Sequence, residues 1–99
     1  MKIERTGNSE LTITGNIKSI EDSSLIKDAI NAIRKDGSES LRMNIKDSFS
    51  ITSTVIGNLM KLVNHDKVAL SITIGDQRLY DLLVELNIAK AFNARIAGR

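Results

Sequence analysis

Cysteine, proline and tryptophan are all absent from this 99-residue chain. The absence of cysteine excludes disulfide bonds, thiolate nucleophiles and cysteine-ligated metal sites. The absence of proline leaves glycine as the main residue that interrupts helices and strands. Phe49, Tyr80 and Phe92 are the only aromatic residues, too few for a platform on which nucleic-acid bases stack.

An excess of charge of one sign is also lacking, since the net charge is +2 and the longest run of basic residues is Arg34-Lys35. Such scattered charge lacks the basic patch that nucleic-acid-binding proteins present. No apolar run approaches the roughly 20 residues that span a bilayer, and no apolar stretch follows Met1–Arg5 as in a signal peptide. We therefore expect one cytoplasmic domain over residues 1–99 that binds no nucleic acid and does not insert into a membrane.

Alternation of apolar and polar residues predicts the strands, because a two-residue period is typical of strands with one buried face. A short edge strand over Lys2–Arg5 is expected to pair with the first alternating segment across Gly7-Asn8. The alternating segments are Glu10–Thr14, Leu41–Ile45 and Val68–Ile74.

Apolar residues at helical spacing predict three helices, over about 23–35, from Ser53 to about Asn64, and from the Asp76 cap to Asn87. Asn87 is expected to end the third helix in a left-handed conformation. The stretch after Ile88 predicts either a short strand or a final helix. The expected buried stripes are Leu25, Ile26, Ala29, Ile30 and Ile33 in the first helix, Val55, Ile56, Leu59, Met60, Leu62 and Val63 in the second, and Leu79, Leu82, Leu83 and Leu86 in the third.

The order of these elements predicts the fold class. Strands that alternate with helices form parallel neighbours. A sheet covered by helices on both faces has continuously apolar strands, whereas these strands have one apolar and one polar face. We therefore expect an α/β fold, with a small mixed β-sheet and helices packed on one face.

Ser53 lies at the junction between a predicted strand and the second helix. Free backbone N–H groups and the positive end of the helix dipole gather at such a junction. The Ser53 hydroxyl is expected either to cap the helix or, if exposed, to carry a phosphate. Gly57 lies one turn later, where glycine costs about 1 kcal/mol relative to alanine. Close packing on the sheet is the expected reason for this glycine, and access for a partner is the alternative. Phe49, just before the junction, is either a core residue or an exposed anchor for a partner.

The whole pattern resembles the STAS domain, a family named for sulfate transporters and anti-sigma-factor antagonists. The family's sharpest motif, Asp-Ser-Ser/Thr-Gly between a strand and a helix, corresponds here to Thr52-Ser53-Thr54-Val55. Gly15-Asn16-Ile17-Lys18 falls where the family usually has Gly-Glu-Leu/Ile-Asp. The segment Asp76–Phe92 resembles the family's third helix and the turn after it.

This resemblance implies a regulatory protein-binding module of bacterial transcription control rather than an enzyme. In its antagonist branch, the unmodified domain binds a serine kinase that is also an anti-sigma factor. The kinase phosphorylates the motif serine, and a PP2C-type phosphatase reverses the modification. By position, Ser53 is the implied phosphate acceptor, and the implied partner-binding residues are Asn16, Lys18, Thr52, Ser53, Thr54 and Asn58.

Thr52, Lys18 and Asn16 stand where typical family members have acidic residues, so the acidic rim around the acceptor is missing. Thr52 is still expected to cap the second helix. Lys18 could stabilise a phosphoserine or meet a carboxylate of a different partner. Two further functions therefore stay open, a stand-alone STAS subunit of an ABC-type lipid transporter and a scaffold of stressosome-like assemblies.

The sequence gives little support for catalysis. His65 is the only histidine, so no metal site is expected around it. The glycines are too far apart to form a phosphate-binding loop, and no Ser-His-acid set has a supporting context. We therefore expect no catalytic residues, no cofactor and no metal.

Overall fold

The computed structural model describes residues 1–97, which form five strands and three helices. Every predicted element is present, with ends within three residues of those expected. After Ile88 the chain forms a short strand rather than a helix. The elements are β1 Lys2–Gly7, β2 Glu10–Thr14, α1 Ile20–Lys35, β3 Ser40–Ile45, α2 Ser53–Asn64, β4 Ala69–Ile74, α3 Gln77–Glu85 and β5 Ala94–Ile96.

The five strands form one sheet in the order β1-β2-β3-β4-β5. β1 and β2 are antiparallel, and the other neighbours are parallel. Each parallel step is made through a helix, so β2, β3 and β4 all end at the same edge of the sheet. The loops that follow these strands meet at that edge, where open α/β sheets commonly bind their ligands.

The helices cover one face of the sheet, as the alternating strands predict. The covered face carries apolar side chains that are at most 2 % exposed: Leu11, Ile13, Leu41, Met43, Ile45, Leu70, Ile72 and Ile74. On the opposite face, Arg42 and Arg95 are exposed and Asn44 is half-buried. The fold is therefore an α/β fold whose small mixed sheet has helices on one side only.

Two predicted core leucines, Leu25 and Leu86, are each 48 % exposed. Leu25 lies beside the buried stripe of α1, which runs through Ile26, Ile30 and Ile33. Leu86 is the residue at which α3 ends. The chain then reverses at Asn87, which has the expected left-handed conformation (φ 60°).

A capping box makes α1 begin earlier than its apolar stripe predicts. The Ser19 hydroxyl accepts a hydrogen bond from the Asp22 backbone N–H at 3.0 Å. The Asp22 carboxylate accepts in return from the backbone N–H groups of Ser19 (3.3 Å) and Lys18 (3.1 Å). This reciprocal arrangement satisfies N–H groups that a helix start leaves free. Within residues 1–97, none of the helices combines the length and the apolar character that a membrane crossing requires.

Candidate functional site

The loops that follow β2, β3 and β4 form one continuous surface, which we call the carboxyl-edge surface (residues 15–20, 46–54 and 75–78). Hydrogen bonds join the first two loops directly. The Asp47 carboxylate accepts from the Gly15 backbone N–H at 2.6 Å. The side-chain oxygen of Asn16 accepts from the Phe49 backbone N–H at 3.1 Å. The loop after β2 is therefore held against the loop after β3.

Ser48 strengthens this junction from inside. Its side chain is fully buried, and its hydroxyl accepts from the Ile17 backbone N–H at 3.0 Å. The same hydroxyl donates to the Ser50 carbonyl at 2.7 Å. The Ser50 hydroxyl in turn donates to the Ile17 carbonyl at 2.9 Å. The role of Ser48 could not be predicted, because a polar residue in an unpatterned loop gives no periodic signal of its burial.

Thr52 caps α2, as predicted. Its hydroxyl oxygen accepts from the Val55 backbone N–H at 3.2 Å and lies 2.8 Å from the Ser23 hydroxyl oxygen. Because the Ser23 hydroxyl donates to the Ser19 carbonyl at 3.2 Å, the Thr52 hydroxyl is the donor in the contact with Ser23. The hydroxyl of Thr52 is therefore fully engaged, and it links the start of α2 to the start of α1.

Ser53 is the first residue of α2, and it is exposed. Among residues 1–97 its hydroxyl forms no hydrogen bond, so of the two expected alternatives the capping role is excluded. The free N–H groups of the first turn lie beside Ser53, and that turn contains no acidic residue. A negative charge placed on Ser53 would be stabilised by the positive end of the α2 dipole.

The structure brings five of the six predicted partner-binding residues to the carboxyl-edge surface. Asn16 is half-buried and holds the Phe49 backbone, while Lys18 is exposed and forms no ion pair within residues 1–97. Thr52 caps α2, and Ser53 and Thr54 are exposed. The sixth, Asn58, lies one turn further along α2.

Asn58 is half-buried and lines a cleft between α1 and α2, together with Lys27 and Lys61. It therefore faces the neighbouring helix rather than the exposed side of α2 on which Ser53 lies. The prediction that Asn58 contacts a partner rests on its position in the sequence alone.

Phe49 is an exposed aromatic side chain, which decides between the two expected alternatives of core and surface. It is 47 % exposed, and the Arg78 guanidinium carbon lies 4.6 Å from the centre of its ring. Arg78 also donates to the Asp76 carboxylate from Nη2 at 2.7 Å and from Nε at 3.0 Å. The stack therefore joins the start of α3 to the loop after β3.

Hydrogen bonds also fix the ionisation of two carboxylates at this edge. The pKa of Asp76 is lowered chiefly by the hydrogen bonds from the Arg78 side chain, with a further bond from the Arg78 backbone. The pKa of Asp22 is lowered chiefly by the Lys18 backbone N–H. Both carboxylates are thus committed to structural hydrogen bonds, while the Lys18 side chain remains free for a ligand.

Ile20 is an exposed apolar residue at the same edge that sequence analysis missed. It is 84 % exposed and is the first residue of α1, directly after the Ser19 cap. The signal that could have identified it is the Ser19–Asp22 capping box, because a helix that begins there places Ile20 outside its buried stripe. Ile20 and Phe49 therefore provide exposed apolar contacts on the same edge as Ser53.

Gly57 does not pack against the sheet, so the expectation of close packing is wrong. The residue is exposed, and a Cβ built on it meets no other atom within 4 Å. α2 faces the core through Val55, Leu59 and Leu62 instead. Residues four apart are neighbours on one helix face, so Gly57 leaves the surface beside Ser53 without a side chain.

Comparisons with known proteins do not assign a family. A scan against family models matches none of them, and a search of curated proteins finds no match. Within the described part of the chain, no group of three or more acidic or histidine side chains could hold a metal ion. The site is therefore defined by its geometry: an exposed serine at a helix start, on the same surface as the exposed side chains of Ile20 and Phe49.

Proposed function

We propose that this chain is a non-enzymatic regulatory module that binds a protein partner through the carboxyl-edge surface and releases it when Ser53 is phosphorylated. The observation that carries the proposal is the Ser53 hydroxyl, which is exposed at the first position of α2 and forms no hydrogen bond within residues 1–97. Ile20 and Phe49 supply apolar contact area on the same surface. In the STAS-like interpretation, the partner is a cytoplasmic serine kinase that also acts as an anti-sigma factor.

The proposed cycle consists of two group transfers made by partner enzymes. The kinase transfers the γ-phosphoryl group of ATP to the Ser53 oxygen, which releases ADP, and the hydroxyl proton passes to a base of the kinase. A PP2C-type phosphatase then uses water to cleave the new P–O bond, which restores the hydroxyl and releases inorganic phosphate. The chain itself contributes the acceptor hydroxyl and the docking surface.

Electrostatics would make the modification a switch of binding rather than of folding. A phosphoserine adds about −1.5 to −2 charges at pH 7. The positive end of the α2 dipole stabilises this charge, so the fold tolerates it. A partner packed over Ser53 would have to bury the same charge without a pairing group, which is strongly unfavourable. Phosphorylation is therefore expected to separate the complex while the chain stays folded.

Charge variants of two exposed serines test this proposal. Ser53→Ala keeps the neutral surface and should retain the partner, whereas Ser53→Asp should lose it. Ser40→Asp is the matched control, because Ser40 is exposed at the start of β3, at the end of the strands opposite to the carboxyl-edge surface. The variants are immobilised, exposed to extract of the source cells, and the bound kinase or anti-sigma factor is quantified by mass spectrometry.

Two further measurements complete the test. Phosphopeptide mapping of the chain isolated from its own cells should identify modification at Ser53. The thermal midpoint of Ser53→Asp should equal or exceed that of the unmodified chain, because an acidic residue in the first turn of a helix is favourable. The proposal fails if Ser53 is unmodified in cells and Ser53→Asp retains every partner that Ser53→Ala binds.

A second candidate function is a stand-alone subunit of an ABC-type lipid transporter. The specific observation in its favour is that Thr52 caps α2 in place of the family's acid, which leaves no acidic residue in the first turn. A kinase that recognises an acidic rim would find none there. In this case the carboxyl-edge surface would bind an ABC ATPase, and Ser53→Asp and Ser53→Ala would co-purify with that ATPase equally well.

A further inference from the structure

The two edge strands of the sheet differ in how well they resist the addition of another strand. β1 carries exposed charges at Lys2, Glu4 and Arg5, and Lys2 pairs with Glu4 at 2.9 Å. The β1–β2 pairing is also irregular between Arg5 and Gly7. Charged side chains and irregular pairing are common means of protecting an edge strand. β5, at the other edge, has one charged residue, Arg95, and a regular pairing with β4.

The backbone of β5 has free hydrogen-bonding groups on its outer side. The Asn93 carbonyl accepts from Ile72, and the Ala97 N–H donates to Ile74, so these residues face β4. Alternate residues of a strand bond to opposite sides, so Ala94 and Ile96 direct their backbone groups to the open side. The Ala94 N–H is bonded to the Ala89 carbonyl at 2.8 Å. Within residues 1–97, the Ala94 carbonyl and both backbone groups of Ile96 therefore have no partner.

A groove of about 490 Å³ lies beside this edge, between α3 and the turns that lead into β5. Its walls include Tyr80 and Val84 of α3, one turn apart, and it extends to Ala89 and Ala94. Val84 is about half exposed although it is apolar. Every second side chain of an extended strand points to the same face. A strand added to β5 would therefore direct alternate side chains into this groove.

The charges of the groove and of the outer face of β5 favour an acidic ligand. Lys90 lines the groove, Arg95 lies on the opposite face of β5, and both are exposed. Neither forms an ion pair within the described residues. The acidic side chains of an alternating segment would lie on the same face as Arg95. In a dimer paired through β5, Lys90 and Arg95 of one copy would lie close to Lys90 and Arg95 of the other copy. The charge pattern thus disfavours self-pairing and favours a partner segment that carries carboxylates.

We propose that β5 and the adjoining groove bind an extended segment of a partner protein, in which apolar residues alternate with acidic ones, by adding it as a sixth strand. The Ala94 carbonyl and both backbone groups of Ile96 would hydrogen-bond to the segment, and its apolar side chains would contact Tyr80 and Val84. Strand addition of this type combines main-chain hydrogen bonds with pockets for alternate side chains. This surface is separate from Ser53, so the inference does not depend on the proposed switch.

A phage-displayed library of random seven-residue peptides, selected on the full 99-residue chain, tests the proposal. Selection should enrich sequences that alternate apolar and acidic residues. The selected peptide should lose binding when the amides that would hydrogen-bond to β5 are N-methylated, because strand addition needs those N–H groups. Arg95→Glu should weaken its affinity by about two- to fivefold, which is the size of one exposed ion pair on the face where the acidic side chains would lie. Lys18→Glu, a matched charge reversal at the carboxyl-edge surface, should leave the affinity unchanged.

Amide chemical shifts measured by NMR locate the bound peptide. Titration should move the resonances of Val84 and Ile96 and leave those of Lys2–Arg5 in place. The proposal is overturned if no alternating peptide is enriched, if N-methylation is tolerated, or if the shifts map to another surface. Light scattering that detects a dimer, which the unmethylated peptide dissociates, would assign β5 to a second copy and also overturn it.

Discussion

Replacing Gly57 by alanine should stabilise the chain. The added methyl group meets no atom within 4 Å, and Gly57 lies inside α2, four residues after its start at Ser53. Alanine is favoured over glycine in helix interiors by about 0.8–1.0 kcal/mol. Since the new Cβ causes no overlap, nearly all of this difference should appear in the free energy of unfolding.

Urea denaturation followed by circular dichroism at 222 nm measures this change. A gain of about 1 kcal/mol corresponds to a rise of about 4–8 °C in the thermal midpoint of a domain of this size. Gly75→Ala is the contrasting variant, because a Cβ at Gly75 would overlap the Lys46 carbonyl oxygen. It should destabilise the chain by about 1–3 kcal/mol or more. An unchanged or lower stability of Gly57→Ala would refute the placement of Gly57 on an open helix face.

The same variant tests why a glycine is present there. If a partner approaches closely beside Ser53, Gly57→Ala should weaken its binding although it stabilises the free chain. A change that raises stability and lowers binding cannot be explained by unfolding. If binding is unaffected, the glycine has no role in access for a partner, and the docking surface does not extend over this face of α2.

Three further predictions concern the contacts that build the carboxyl-edge surface. Ser48→Ala should lower the free energy of unfolding by about 1–3 kcal/mol, because the Ile17 N–H loses its buried acceptor, and an unchanged urea midpoint would contradict this. Thr52→Ala should cost about 1 kcal/mol, whereas Thr52→Ser should cost little because serine also caps helices; equal losses for both variants would exclude the capping role. Folding lowers the pKa of Asp22 below its ordinary value of 3.8, so the ionised carboxylate stabilises the fold at pH values above 3.8. This stabilisation is lost as the pH falls through the pKa of the folded state. Asp22→Asn should therefore give a flatter dependence of stability on pH below about pH 4 than the unmodified chain, and parallel curves would contradict that role.

The regular parts of this fold could be predicted because their signals are local. The strands β2, β3 and β4 alternate cleanly, so both their positions and their buried faces follow from the sequence. The start of α1 was misplaced because the Ser19 cap precedes the apolar stripe by several residues. Leu86 was assigned to the core because apolar spacing continues to the point where the helix ends, and the spacing alone does not mark that end.

The candidate site was only partly predictable, because its contacts join loops that are distant in sequence. The position of Ser53 follows from the strand–helix junction, and the cap at Thr52 follows from residue type. The buried hydroxyl of Ser48 and the stack of Arg78 on Phe49 depend on neighbours about 30 residues away. Gly57 was wrongly expected to pack on the sheet, although its position two residues from Val55 and Leu59 already places it on the opposite face of α2.

The central claim is that a negative charge at Ser53 removes the partner without unfolding the chain. The most direct test is the amount of partner kinase or anti-sigma factor from source cells that is retained by Ser53→Asp, relative to Ser53→Ala and Ser40→Asp. Burying a charge without a pairing group at an interface costs several kcal/mol, so retention by Ser53→Asp should fall by about tenfold or more. Equal retention by the three variants, with all of them folded, would contradict the account.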